Sequence, residues 1–371
     1  MASILIPTIA NDVHAAAVAR VLERLGHRAV RWFCADFPQR ASISFDPGAA
    51  GSSLLRPGAG QRELALSDID IFWNRRIGQP VLETTLPDGD RQYALREAAT
   101  LLAGTLELVS QRSFAVNPMN RVAVAENKAV QLAIAQELGF TVPQTLLSND
   151  PARIRAFLRT HAREGAIFKT FRPVTWESGD RLAMLYTARV TEDALPDDEL
   201  LRLGPAIFQA CVPKACELRV TCMGDELLAA RLDSQTTADG RLDWRIAHAQ
   251  DLPVARIELP ADVQSRCRAL LRRLGLVFGC IDFIVTPAGE HVFLEINQMG
   301  QFLWVEQACP EIPMLQTFCE FLVSRDPAFR RASGAPVRFR FADEHEEALA
   351  LLATEHDAHL RPTHASHVVH E

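Results

Sequence analysis

The stretch from Gly279 to Gln298, GCIDFIVTPAGEHVFLEINQ, constrains this chain more than any other. Two apolar runs, CIDFIV and HVFLEIN, flank a Pro-Ala-Gly-Glu turn, a pattern that predicts a β-hairpin. A turn centred between Ala288 and Gly289 sets Asp282 opposite Glu295 and Cys280 opposite Asn297. Side chains alternate faces along a strand, so Ile281, Phe283, Val285, Val292, Leu294 and Ile296 share one apolar face. That face must pack on a core. The other face gathers Asp282, Glu295 and Asn297 within about 5 Å of cross-strand or next-but-one neighbours. Two carboxylates that close repel each other unless a cation lies between them. Hard oxygen donors without His or Cys suit Mg²⁺, which fills its octahedron with water and phosphate oxygens. The alternative is a hairpin with two solvated acids on its outer face.

The rest of the chain bears on that choice. Its 371 residues can bury two or three cores. A composition 48% hydrophobic and 23% charged is that of a globular protein, and a net charge of −7 weighs against binding nucleic-acid backbones. No apolar run approaches the roughly 18 residues of a spanning helix. The N-terminus, MASILIPTIANDVHA, lacks a basic region and meets Asp12 early, unlike a signal peptide. Eight cysteines without a CxxC imply reduced thiols and a cytoplasmic protein.

The periodicities predict an α/β fold. SILI is a strand, followed by a helix from Asn11, its cap, to Gly26. RAVRWF, ASISF, RELAL and DIDIFWNRR are strands, and a long helix covers 89–110. This N-terminal α/β unit takes residues 1–117. A central unit, 118–190, holds helices over 127–138 and after Asn149-Asp150-Pro151, then the strand GAIFKTF, a polar loop and a strand near AMLYTARV. A C-terminal unit, 191–325, contains AIFQACV, a hairpin of ELRVTCM and ELLAARLDS, a helix over 261–275, the acidic hairpin and a last helix near 313–324. Residues 326–371 form a polar tail with six of the eleven histidines, and EHDAHLRPTHASHVVHE at its end is expected to be flexible and solvated.

Of 39 basic residues only three are Lys: Lys128 opens a helix, Lys169 lies in the strand AIFKTF, and Lys214 follows FQACVP. An ammonium inside an apolar strand is costly to bury without a partner. A helix-opening Lys, a strand Lys some forty residues on, a hinge, and an acid–acid–Asn hairpin together resemble the ATP-grasp superfamily. No GxxxxGK[ST] or GxGxxG is present. The resemblance covers about residues 118–325 and makes 1–117 a pre-ATP-grasp domain. It implies that Lys128 and Lys169 contact phosphates, and that Gln209, Ala210, Cys211 and Val212 form the adenine hinge. By the same resemblance Glu217 bonds the ribose, and Asp282, Glu295 and Asn297 hold Mg²⁺. The family's glycine-rich phosphate loop is not matched, because TFRPVTWESGD after Phe168-Lys169 holds only Gly179.

The strings FQACVPKACELRVTCMGDELLAARLDSQ and DWR (Asp243–Arg245), with YTARV and the VPK before ELR, are similar to ATP-grasp ligases that mature graspetides, the microviridin-type peptides. Those enzymes install side-chain ester or amide crosslinks in a ribosomal precursor peptide. The resemblance implies ATP and Mg²⁺ as cofactors, a precursor peptide of leader plus core as partner, and a homodimer. A register in which the turn spans Gly224–Glu226 sets Arg231 across from Arg219 and both beside Glu217 on the site face, suited to a developing phosphate charge. Arg245 is placed to orient the acceptor carboxylate, and Asp233 and His248 are candidate general bases. Two other functions stay open: another ATP-dependent carboxylate–amine ligase, acting on small molecules or a protein tail, and a nucleotide-binding protein without catalysis.

Overall fold

The computed structural model describes residues 1–48, 53–58, 62–171, 187–236, 240–246 and 252–361, with the backbone alone of 175–178 and 181–184. At the N-terminus, four parallel strands lie in the order Arg28–Phe33, Ser3–Thr8, Ile71–Trp73, Phe114–Val116. The first crossover helix is Val13–Arg24, and its cap is Asp12, whose carboxylate accepts from the Ala15 N–H, not Asn11. Its run of Ala15, Ala16, Ala17 and Val18 is fully buried, which lets the helix lie close against its neighbours. A small antiparallel sheet, Ser42–Ser44, Leu54–Arg56 and Leu64–Ala65, covers one side.

The central and C-terminal parts are antiparallel. Ala188–Val190, Ala166–Lys169, Ala206–Ala210 and Thr145–Ser148 form one four-stranded sheet. The other sheet has five strands, in the order Val254–Ile257, Glu226–Leu232, Cys216–Met223, Phe278–Val285, His291–Asn297. The segment expected as a polar loop after Lys169 contains a hairpin, Thr175–Ser178 with Arg181–Met184. Tyr186, Gly179 and His248 lie outside the described residues.

Both faces of the five-stranded sheet are buried. Leu228, Ala230, Leu232, Phe278 and Cys280 face a core shared with Val13–Arg24 and the helix Met314–Ser324. Leu218, Val220, Cys222, Ala229, Ile281, Phe283, Phe293 and Ile296 face a second core closed by the helices Ala261–Leu274 and Lys128–Glu137. A strand apolar on both sides carries no parity signal. That is why the expected register of the 216–232 hairpin is off by one. Its turn holds only Gly224 and Asp225, so Arg219 lies opposite Ala230 and Arg231 opposite Leu218. Gly224 has φ +62°, and a Cβ there would meet the Phe329 backbone N at 2.7 Å, so glycine is required.

The acidic hairpin pairs as expected at Cys280↔Asn297 and Asp282↔Glu295. A bulge beyond Asp282 then pairs Phe283 with Phe293, leaving Leu294 as the extra residue. Phe293 thus enters the core, and Leu294 turns to the face of the acids rather than joining the apolar face.

The segment after residue 326 differs most from expectation. Phe341–Thr354 is a helix whose Phe341, Ala348 and Leu352 complete the core around Val13–Arg24. Glu306 anchors it by accepting from the Leu315 and Phe341 N–H groups. His359 is not solvated: it stacks on Phe33 and bonds Asp36 through Nδ1 at 2.6 Å. His364, His367 and His370 lie outside the described residues. No helix among the described residues is long and apolar enough to cross a membrane.

Asn117 ties the N-terminal sheet to the acidic hairpin. Its Nδ2 donates to Phe278 O and Gln298 O, and its Oδ1 accepts from Val277 N and Phe278 N, all at 2.8–2.9 Å and out of solvent. Asn117→Ala strands four buried backbone groups and should lower unfolding free energy by about 3 kcal/mol in urea titrations. A loss within about 0.5 kcal/mol would contradict that role.

Candidate active site

The site is a cleft of about 660 Å³ between the four-stranded and five-stranded sheets. Strand alternation supplies one wall. Lys169 and Ile167 point into it from one strand, and Gln209, in register with Ile167 and Thr145, points in from the next. Ala210, Cys211, Val212 and Lys214 continue that wall. The opposite wall carries Glu217, Arg219, Asp282, Glu295 and Asn297, with Ile284 and Leu294. Asp243 and Arg245 close one side, and His14, Trp244, Trp304 and Gln301 line the far end.

Hydrogen bonds fix the polarity of Gln209. The Thr145 hydroxyl spends its proton on Pro143 O at 2.8 Å, so it accepts from Gln209 Nε2 at 3.0 Å. Gln209 Oε1 is then left buried with no donor among the described residues. A buried acceptor in that state calls for a ligand donor such as an amino group.

Charge is concentrated and largely paired. Arg219 Nη1 bonds both Asp282 oxygens, at 2.9 and 2.7 Å, and Nη2 bonds Gln301 O at 3.0 Å. Arg219 Nε is buried without a partner among the described residues. Lys128 Nζ lies 2.5 Å from Glu295 Oε2. Arg245 grips Asp243 with two nitrogens, at 2.8 and 2.6 Å, and Asp243 also accepts from Thr187. Lys214 bonds Glu217 at 3.0 Å and Leu242 O at 2.9 Å.

The acids respond unequally. Burial pushes Glu295 up, but Lys128, Arg245 and Lys169 outweigh it and hold the carboxyl down at about 2. Burial raises Asp282, the charge of Glu295 adds to the rise, and Arg219 opposes it. The two neighbouring carboxyls are thus pushed apart, Glu295 down by its cations and Asp282 up by burial and by the charge of Glu295. Burial also lowers the Lys169 ammonium, against the pull of Glu295 and Asp243, and raises Glu217 against Lys214. Asp243 is held at about 2, because the Arg245 hydrogen bonds and charge outweigh burial.

The expected residues are thus placed as follows. Lys169, Gln209, Ala210, Val212, Glu217, Arg219, Arg245, Asp282, Glu295 and Asn297 surround one cleft. Lys128 stands behind Glu295 rather than on the lining. Arg231 is not brought to the cleft: the one-residue register change turns it to the opposite face, half exposed and paired with Asp233 at 2.7 Å. Asp233 is outside the lining as well. Among the described residues no group of three His, Cys, Asp or Glu could hold a metal, so a cation here relies on Asp282, Glu295 and the Asn297 amide oxygen. That hard-oxygen set fits Mg²⁺.

Other residues hold the site in place, and of these only Lys214 stands out in the sequence, as one of three lysines. Gln131 positions the acidic strand, its amide bonding Ile296 O and Ile296 N. Lys214 is a partner of Glu217 rather than a generic surface cation. Arg75, held by Asp12, bonds the loop beside the site from the N-terminal unit, and only tertiary contacts reveal it.

Comparisons agree with this geometry. Residues 3–123 match the family model described as the MvdD pre-ATP grasp domain. The macrocyclase MdnC of Microcystis aeruginosa MRC, bound with its precursor peptide MdnA, is 28% identical, with a TM-score of 0.76 over 87% of this chain and 99% of that one. A RiPP-associated ATP-grasp ligase of Chryseobacterium gregarium, in complex with ADP and a leader and core peptide, is 26% identical, with a TM-score of 0.79 over 90% and 100%. The macrocyclase MdnB of the same Microcystis is 28% identical, with a TM-score of 0.71 over 87% and 99%. No curated protein matches the chain. The chain has the ATP-grasp fold, with an MvdD-type pre-ATP-grasp domain at its N-terminus, and resembles RiPP-associated ligases of that fold.

Glu295 offers a direct check. Its carboxyl lies below the ordinary 4.5, so its ion pairs stabilise the fold fully above that pH and the contribution fades as pH falls toward about 2. In Lys128→Met the carboxyl should titrate well above the wild-type value of about 2 in carbon-detected NMR. An unmoved titration would show that Lys128 is not what holds it.

Proposed function

We propose that this protein is an ATP-dependent ligase that activates Asp or Glu side chains of a ribosomal precursor peptide and joins them to Ser, Thr or Lys side chains of the same peptide. One observation carries the proposal: Lys169 and Arg219 converge on the paired acids Asp282 and Glu295 in a cleft that also holds the hinge Gln209–Val212. The likeness to ligases crystallised with ADP and with precursor peptides supports the peptide as substrate. Eight free cysteines, seven of them buried, fit a reducing cytoplasm.

The nucleobase would sit against the hinge, its amino group donating to the idle Gln209 Oε1. Glu217, fixed by Lys214, would accept from the ribose hydroxyls. Asp282, Glu295 and Asn297 would hold Mg²⁺, which when bound neutralises phosphate oxygens during transfer. Arg219, held by Asp282 and Gln301 O, would face the phosphates, and Lys128 would support Glu295 beside them. A carboxylate is a poor electrophile, because an oxide-like oxygen must leave. Transfer of the γ-phosphoryl group to a carboxylate oxygen makes an acyl phosphate and ADP. Attack by a hydroxyl or amine forms the ester or amide, expels phosphate, and the nucleophile's proton goes to solvent or phosphate. Lys169 and Arg219 stabilise the charge on the transferring group, and Arg245, oriented by Asp243, holds the acceptor carboxylate. Binding both reacting side chains in one peptide supplies proximity. The proposed role of Arg231 lapses, since its side chain leaves the cleft.

Intact mass spectrometry of a candidate peptide tests the reaction. Each bond should remove one water, whereas a mass gain would mean amino-acid addition and no ADP release would mean binding without catalysis. Lys169→Ala and Asp282→Ala should lower ADP formation at least a hundredfold while the fold persists, and Arg231→Ala should stay within about twofold of wild type. Gln209→Met should shrink the preference for ATP over inosine triphosphate, which carries an oxygen where ATP has its amino group, by about tenfold or more. An unchanged preference would take the base away from Gln209.

A further inference from the structure

Arg75 belongs to the pre-ATP-grasp domain, yet three of its five hydrogen bonds join that domain to the loop after the acidic hairpin, the other two going to Asp12 of its own domain. It follows the strand Ile71–Trp73, at the carboxyl edge of the parallel sheet, where the Asn74 N–H bonds Val116 O and the Arg76 N–H bonds Pro7 O. Open parallel sheets present functional groups at that edge. The side chain is 2% exposed. Nε and Nη2 bond the two oxygens of Asp12, at 2.9 and 3.3 Å. Nη1 bonds Met299 O at 3.0 Å and Gly300 O at 2.9 Å, and Nη2 reaches Gln301 Oε1 at 3.2 Å. A guanidinium has five N–H donors, and these five contacts use them all. Asp12 is fixed in turn as the cap of Val13–Arg24.

The same loop is held on its other side by the site. Asn297 Oδ1 accepts from Met299 N at 3.2 Å and Gly300 N at 2.9 Å. Gln301 O accepts from Arg219 Nη2, and Arg219 Nη1 grips Asp282. The orientation of Asn297 and the Arg219–Asp282 pair therefore depend on where residues 299–301 sit, and Arg75 sets that position by their carbonyls.

We propose that Arg75 is a positioning residue for the cation site, acting through the 299–301 loop, so that the site reaches its metal-binding geometry only with the pre-ATP-grasp domain docked. This rests on the metal role proposed for Asp282, Glu295 and Asn297. A lysine keeps the charge but is a point donor without the fork that spans Asp12 and the loop.

In the full chain, Arg75→Lys should weaken Mn²⁺ binding in the presence of ADP about tenfold, read from the free-Mn²⁺ signal in electron paramagnetic resonance. The Mg²⁺ needed for half-maximal ADP formation should rise in step. ADP affinity measured without metal should stay within about twofold, which a general loss of packing would not preserve. Gln301→Met removes one loop contact and leaves the Asp12 pair intact, so it should give a smaller shift in the same direction. It decides the matter if Arg75→Lys does not fold. Either folded variant binding Mn²⁺ as wild type does, or losing metal-free ADP affinity equally, overturns the proposal. A wild-type protein that binds no Mn²⁺ with ADP would remove the metal role itself and leave Arg75 a structural contact.

Discussion

Two carboxylates, Asp282 and Glu295, are held side by side across a strand pair, both partly buried. Like charges in that position are unfavourable unless positive charge surrounds them. The surrounding structure supplies it from four separate places: Lys128 at a helix start, Lys169 on the facing sheet, Arg219 on the neighbouring strand and Arg245 from the loop closing the side. Asp243 keeps Arg245 from swinging freely, and Lys214 does the same for Glu217. Lys128 pairs with Glu295 and Arg219 with Asp282, so each acid has its own cation.

Keeping such a cluster in place requires a stiff base. The five-stranded sheet has one, because both of its faces are packed. Phe278, Phe302 and Phe318 pack edge-on or tilted beneath one face, and Phe283, Phe293 and Phe140 beneath the other. The bulge after Asp282 lets Phe293 enter the second core while Leu294 and Glu295 both turn to the cleft. A regular strand would have sent one of them to the wrong side.

The N-terminal domain is more than an appendage to this base. Asn117 and Arg75 bind the two ends of the acidic hairpin, Asn117 at Phe278 and Gln298 and Arg75 at Met299 and Gly300. His14, from the first helix, lines the cleft and packs against Phe302 and Phe341. Through Phe341 the C-terminal helix joins the same core, which explains why this part of a polar-looking tail packs on the domain instead of standing in solvent. Its apolar stripe is short, and it gains stability only by docking.

Local sequence determined much of this. The hairpin, the facing of Asp282 and Glu295, the strand lysine, the helices opening at Asn127 and Asp150 and the strand–helix–strand opening follow from turn chemistry, period and capping, which act over a few residues. The register of Arg231, the side taken by Leu294, the docking of Phe341–Thr354 and the reach of Arg75 were decided only by tertiary structure. The physical reason is common to all four. Where a strand is apolar on both faces, or a side chain's partners lie more than two hundred residues away, no local pattern distinguishes one arrangement from its neighbour. Packing and the satisfaction of buried polar groups then choose between them.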